Sequence, residues 1–247
     1  NVFNNFKKSL RTLRSKIKLM KLYTISGLGA DEKVLEKLTF NPEIEVVHIP
    51  WLIPEENEDF HHYVSRMANT IDHSEPFYLL GYSFGGIIVQ EIHKLKPAKR
   101  IVILGSIRCD AEKSKLILAG QKTNAVKYIP LRVFNGNTTL FYSFFRKLFD
   151  PKNPKLTQYF RVKDPYYLKW SMDKITKWKF DKLPDVIQIL ADKDIVFPIK
   201  NSKPDFVIEN ATHLFPVTKS KEVSDILKTI FVSKLHKFFL LVSLIIL

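Results

Sequence analysis

The chain has 247 residues, 45% of them hydrophobic, and a formal net charge of +14. This length suits one large domain carrying an insertion better than two full domains, and the apolar share is ordinary for a globular core. The single cysteine, Cys109, excludes an internal disulfide; it reads as a small buried apolar residue with no Cys or His at metal-ligand spacing, and it is compatible with a reducing, cytoplasmic setting.

Residues 1–19 contain Lys7, Lys8, Arg11, Arg14, Lys16 and Lys18 and no acid, so they hold six of the fourteen net charges. The other lysines are scattered among acidic residues, and no nucleic-acid motif accompanies them. The basic balance therefore reads as a lysine-rich solvated surface, and nucleic acid is not an expected partner. Phe3, Phe6, Leu10, Leu13 and Ile17 share one helical face, opposite the basic one. This basic amphipathic extension (1–19) reads as an appendage before the globular region, or as an interfacial or targeting helix.

From residue 20 short apolar runs alternate with amphipathic stretches. Strands are expected over 21–26, 43–50, 76–83 and 100–106, with helices over 31–38, 57–71 and 84–95 between them. Later come strands over 185–192 and 205–211 and a helix over 220–235. Such alternation implies crossover connections. The expected fold is α/β, a mostly parallel sheet of about six strands flanked by helices, with its core in 20–106 and 180–235. Residues 107–179 break the rhythm with no clear strand, many aromatics and scattered prolines. They read as a helical cap insertion over the C-terminal edge of the sheet, its aromatics mostly serving to glue it down. The apolar tail 236–247 is shorter than the roughly 20 residues that cross a bilayer, and it reads as a packed tail, a truncated membrane anchor or an interfacial segment. Both ends together are compatible with peripheral membrane contact.

The stretch "YLLGYSFGG" sets Gly81-x-Ser83-x-Gly85 between an expected strand and an expected helix. A bare match to this spacing arises by chance in about one chain of this length in ten; the flanking strand and helix make it specific. The turn is so tight that side chains at 81 and 85 would collide with its neighbours. It holds Ser83 at the sheet's C-terminal edge and puts the Phe84 N–H at a helix N-terminus, where it can donate to a developing oxyanion. A serine needs a base. His213, in "NATHLFP" after the last expected strand, has the right address; His48, His61, His62, His73, His93 and His236 do not. The imidazole needs a carboxylate. "LADKDIVFP" offers Asp192 and Asp194; Asp194 is preferred because it begins the loop proper, and Asp110 is an outside candidate. In "SGLGAD" the glycines at 27 and 29 let the backbone approach a ligand, the Leu28 N–H is a candidate second oxyanion donor, and Asp31 can cap the following turn.

With these motifs, residues 20–106 and 180–232 resemble an α/β-hydrolase. Ser26 stands where many members carry a His before the oxyanion-hole glycine, and the first two strands of the full fold are missing, so the core is a reduced one. The resemblance implies a serine hydrolase or carboxylesterase acting on a small-molecule ester or thioester, without cofactor or metal, through Ser83, His213 and Asp194 in the chain order Ser…Asp…His. Serine at 83 argues against the branches that attack with a carboxylate. The alternative is a non-catalytic binding or scaffold protein that keeps the fold. The substrate-binding residues are not legible.

Overall fold

The computed structural model describes residues 19–135, 158–181, 183 and 185–232. Six strands form one sheet: β1 (Met20–Ile25), β2 (Ile44–His48), β3 (Tyr78–Tyr82), β4 (Arg100–Leu104), β5 (Val186–Ala191) and β6 (Phe206–Ile208). Their order is β2-β1-β3-β4-β5-β6, and every neighbouring pair is parallel. Among the described residues the α-helices are α1 (Phe60–Ala68), α2 (Phe84–Leu95), α3 (Lys115–Thr123), α4 (Ala125–Tyr128), α5 (Pro165–Lys177), α6 (Phe215–Thr218) and α7 (Ser220–Ile230).

The strand sequences explain their places. All five residues of β3 are buried, as are Ile101–Leu104 of β4. Strands covered on both faces need such continuous apolar runs, and each fully buried Leu or Ile contributes roughly 1.5–3 kcal/mol. The edge strand β2 exposes Glu45 and Val46. From β1 the chain steps out to β2, then returns to the other side of β1 for β3 and continues in one direction to β6. The connection order thus reverses between β1 and β3. In open parallel sheets, the crevice beyond the strand C-termini at such a reversal is where ligands bind.

Helix signals are equally local. The Asp59 side chain accepts the His62 N–H at 2.8 Å to start α1, which buries Tyr63, Val64, Met67 and Ala68. Asp164 accepts the Tyr167 N–H at 2.8 Å, and Pro165 presets the first turn of α5. The helix expected over 31–38 is instead a single 3-10 turn, Glu32–Val34, capped by Asp31. The Leu35 N–H bonds Glu32 O and the Leu38 N–H bonds Leu35 O, three residues back each time. Val34, Leu35 and Leu38 are buried all the same; over eight residues the apolar spacing does not separate the two forms. Cys109 is half-buried rather than buried.

Between Ile107 and Lys179 the described residues form two 3-10 turns (Asp110–Glu112 and Leu131–Phe134), α3, α4 and α5, and their one β contact is an isolated bridge between Ala30 and Phe160. Aromatic packing fixes α5. The Trp170 ring lies 4.5 Å from Tyr63, and its indole N–H donates to Glu58 O at 2.9 Å. At the other end, the buried Lys113 ammonium donates to Thr176 O at 3.2 Å and to Trp178 O. Phe141, Tyr142, Phe144, Phe145 and Phe149, the N-terminal extension through residue 18 and the apolar tail lie outside the described residues. No helix among the described residues is long and apolar enough to cross a membrane.

Candidate active site

The turn from β3 to α2 holds Ser83 at φ 53° and ψ −118°. A non-glycine residue in such a conformation costs about 1–3 kcal/mol, so the surroundings must impose it. Two hydrogen bonds do: Ser83 N–H to Leu104 O at 2.8 Å and Gly86 N–H to Ser83 O at 2.9 Å. Glycine at 81 and 85 makes the turn possible. A Cβ on Gly81 would lie 2.2 Å from Gly85 O, and one on Gly85 would lie 2.3 Å from Ile25 O. These contacts are with backbone and cannot be relieved by a rotamer change.

Loops from the ends of β5 and β6 meet this serine. His213 Nε2 lies 2.9 Å from Ser83 Oγ, and His213 Nδ1 lies 2.6 Å from Asp194 Oδ2. The other carboxylate oxygen of Asp194 accepts the N–H groups of Val196 at 2.8 Å and Phe197 at 3.0 Å. With the carboxylate ionised, Nδ1 carries the proton and Nε2 is left to accept from the serine hydroxyl. All three side chains are buried: Ser83 is 5% exposed, Asp194 3% and His213 0%. Tyr82, beside the serine, donates its hydroxyl to His213 O at 3.0 Å, and its ring packs 5.3 Å from the imidazole. Burial pushes the Tyr82 hydroxyl pKa well above its ordinary value, so it remains a donor.

The other acidic candidates lie elsewhere. Asp192 does not reach the imidazole. Its Oδ1 accepts the Ala211 N–H at 3.0 Å, and the Lys193 N–H bonds Ala211 O at 3.0 Å, which zips the two loops together. Burial would raise the Asp192 carboxyl, but the Ala211 and Asn210 amides together with Lys193 hold it below the usual range. Asp110 sits by the Lys113 ammonium at 3.5 Å. Among the other histidines, His48 faces Thr24 Oγ1 at 3.2 Å, His62 faces Glu58 at 2.7 Å and His93 accepts the Ala98 N–H at 3.0 Å.

The loop after β1 closes over the serine from the other side of the reversal. The Ser26 hydroxyl donates to Ala30 O at 2.8 Å, and the Ala30 N–H bonds Gly27 O at 3.0 Å. Gly27 approaches so closely that a Cβ there would lie 3.2 Å from Ser83 Cβ. Leu28 and Phe84, the residues whose amides were singled out, are both buried. Asp31 also acts as the expected cap, its side chain accepting the Lys33 N–H at 3.1 Å. Two contacts escaped the sequence reading. The Trp51 indole N–H donates to Gly27 O at 3.1 Å, and the Tyr167 hydroxyl accepts the Gly29 N–H at 3.4 Å. Position 51 follows Pro50 at the end of the stretch expected as a strand over 43–50, a weak signal that becomes meaningful only once β2 is known to adjoin β1.

No protein-family model and no curated protein sequence matches the chain. Solved structures do match it. A lipase-esterase related protein from Clostridium acetobutylicum ATCC 824 aligns over 83% of this chain and 91% of its own, at TM-score 0.57 and 19% identity. A thermophilic esterase from Thermogutta terrifontis aligns over 83% and 87%, at 0.57 and 12%. An alpha/beta hydrolase fold protein from Burkholderia ambifaria aligns over 83% and 88%, at 0.60 and 10%. This chain has the α/β-hydrolase fold. Within that hydrolase fold, the four loops described above leave the C-terminal ends of β1, β3, β5 and β6, so the cluster sits where a parallel sheet offers its crevice. Away from it, Glu55, Glu58 and His62 bring possible metal ligands within 4.8 Å of one another. The Arg66 guanidinium already bonds both Glu58 carboxylate oxygens, at 2.9 and 2.8 Å, and serves as their cation.

Proposed function

We propose that this protein is a serine hydrolase that cleaves an ester or thioester through an acyl-enzyme. The observation that carries this reading is the unbroken hydrogen-bonded chain from Ser83 Oγ through the His213 ring to Asp194, at 2.9 and 2.6 Å. Ser83 Oγ attacks the acyl carbon while its proton passes to His213 Nε2. Asp194 holds the Nδ1–H and stabilises the imidazolium that forms. The Leu28 and Phe84 N–H groups receive the oxyanion. As the tetrahedral centre collapses, His213 returns the proton to the departing alcohol or thiol. Water, deprotonated by the same ring, then attacks the acyl-serine and releases the acid. The esterase and the lipase-esterase related protein among the structural neighbours agree with this reaction class.

Fluorophosphonate labelling tests the reading. Wild type is expected to react covalently at Ser83, and Ser83→Ala is expected not to react while keeping its melting temperature. Well-folded wild type that resists the probe and hydrolyses no ester would favour a binding or scaffold role.

A further inference from the structure

We infer that Trp51 is a positioning residue that sets both oxyanion donors at once. This rests on the serine-hydrolase reading above. The Gly27 carbonyl and the Leu28 N–H belong to one planar peptide unit and point in opposite directions. Whatever fixes the carbonyl therefore aims the N–H. Two donors hold Gly27 O: the Ala30 N–H at 3.0 Å, from within the same loop, and the Trp51 indole N–H at 3.1 Å, from beyond β2. The second is the tether to the rest of the protein.

The same indole reaches the other donor residue. Its ring stacks on that of Phe84, with centroids 5.2 Å apart and planes within 9°. Phe84 carries the N–H that follows the nucleophile, and its ring is also packed by Phe60 at 6.4 Å. One buried side chain thus binds the peptide on one side of the serine and covers the residue on the other. Tyr167 braces the arrangement from the cap: its ring lies 5.6 Å from the Trp51 ring, and its hydroxyl accepts the next N–H along the loop, that of Gly29. The Val162 N–H to Gly29 O bond, at 2.9 Å, ties down the same residue.

The test compares an aryl ester with its matching thionoester. An oxyanion hole stabilises developing negative charge on oxygen far better than on sulfur, so a defect in donor geometry slows the ester selectively. Trp51→Phe keeps a stacking ring and removes the N–H. Its kcat for the ester is expected to fall about 10- to 100-fold, somewhat less than for outright loss of a donor. KM should stay within about twofold, and the ester-to-thionoester ratio of kcat should drop with the ester rate. Trp178→Phe is the control. It deletes an indole N–H given to Glu91 at 2.7 Å and should leave the ratio unchanged. If Trp51→Phe does not fold, Trp51→Leu, which also lacks the indole N–H, takes its place, with the same fall in ratio expected. An unchanged ratio in the folded variant, with hydrolysis still abolished by Ser83→Ala, overturns the positioning role and spares the nucleophile. Hydrolysis that survives Ser83→Ala overturns both.

Discussion

Replacing Asp194 by asparagine separates the orienting role of this carboxylate from its structural one. Asp194 presents Oδ1 to two amides, at 2.8 and 3.0 Å, and Oδ2 to His213 Nδ1 at 2.6 Å. Asparagine has one oxygen and one NH2, so it has two orientations. If the NH2 faced Val196 and Phe197, a part-buried and a buried amide would each lose an acceptor, the buried one at about 1–3 kcal/mol. The oxygen therefore stays on the amides and the NH2 faces the imidazole. His213 Nδ1 must then accept, which moves the ring proton to Nε2, where it points at Ser83 Oγ. In that tautomer the ring cannot take the serine proton. The expected loss in kcat is about 10⁴-fold, the size associated with a wrong-tautomer triad, or about 5 kcal/mol of transition-state stabilisation. The fold should be nearly unaffected, because all three hydrogen-bond contacts of the side chain survive. Steady-state hydrolysis of a p-nitrophenyl ester alongside a thermal melt checks both halves. Activity of the Asp194→Asn variant within about tenfold of wild type would refute the orienting role. A matching collapse of the melt would make the residue structural instead.

Gly85→Ala would drive a Cβ to 2.3 Å from Ile25 O and 2.4 Å from Ser26 O; a loss of about 3 kcal/mol or more is expected in denaturant unfolding, and unchanged stability would contradict the elbow geometry. Lys113→Met removes the ammonium that holds the carbonyls of Thr176 and Trp178 at the end of α5, and a loss of about 2 kcal/mol should appear in the same measurement. Burial holds the His48 imidazole below its ordinary 6.5, although Glu32 and Asp31 pull the other way. The unfolded chain then binds this proton more readily, so the contribution of His48 to stability is complete above 6.5 and is lost as pH falls through 6.5 towards the folded value. His48→Gln is expected to flatten that acid-side decline, and an unaltered pH profile of unfolding would show that the site does not titrate this way.

The sheet was legible because strands covered on both faces must be apolar throughout, and "YLLGY" and "RIVIL" have no other plausible use. The elbow was legible for a different reason: five residues carry all its constraints, so one short string states them together. Asp194 and His213 could be paired with Ser83 because chain order and strand ends place them, not because either residue is distinctive; Asp192, two positions away, differs only in pointing at Ala211. The stretch at 31–38 misled because a 3-10 turn and an α-helix bury Val34, Leu35 and Leu38 equally well. Trp51 and Tyr167 were invisible for a deeper reason. Their partners are 24 and 138 residues distant, and nothing in the local sequence distinguishes a tethering aromatic from one that only fills the core.

The residues that escaped the sequence reading surround the one position where the motif departs from the usual pattern. The loop after β1 begins with Ser26, a short side chain whose hydroxyl is committed to Ala30 O. That bond closes the loop on itself but links it to nothing else. A loop closed only internally could still pivot as a unit on Gly27 and Gly29, and the N–H of Leu28 would pivot with it. Outside contacts must therefore supply the missing restraint, and they arrive from two directions: Trp51 on the Gly27 carbonyl, and Tyr167 and Val162 on the two backbone groups of Gly29. Preorganised donors are effective because they need not reorganise as charge develops. On the serine-hydrolase reading, that preorganisation is shared between Trp51 beyond β2 and the segment holding Val162 and Tyr167, which couples the docking of α5 to the geometry around Ser83.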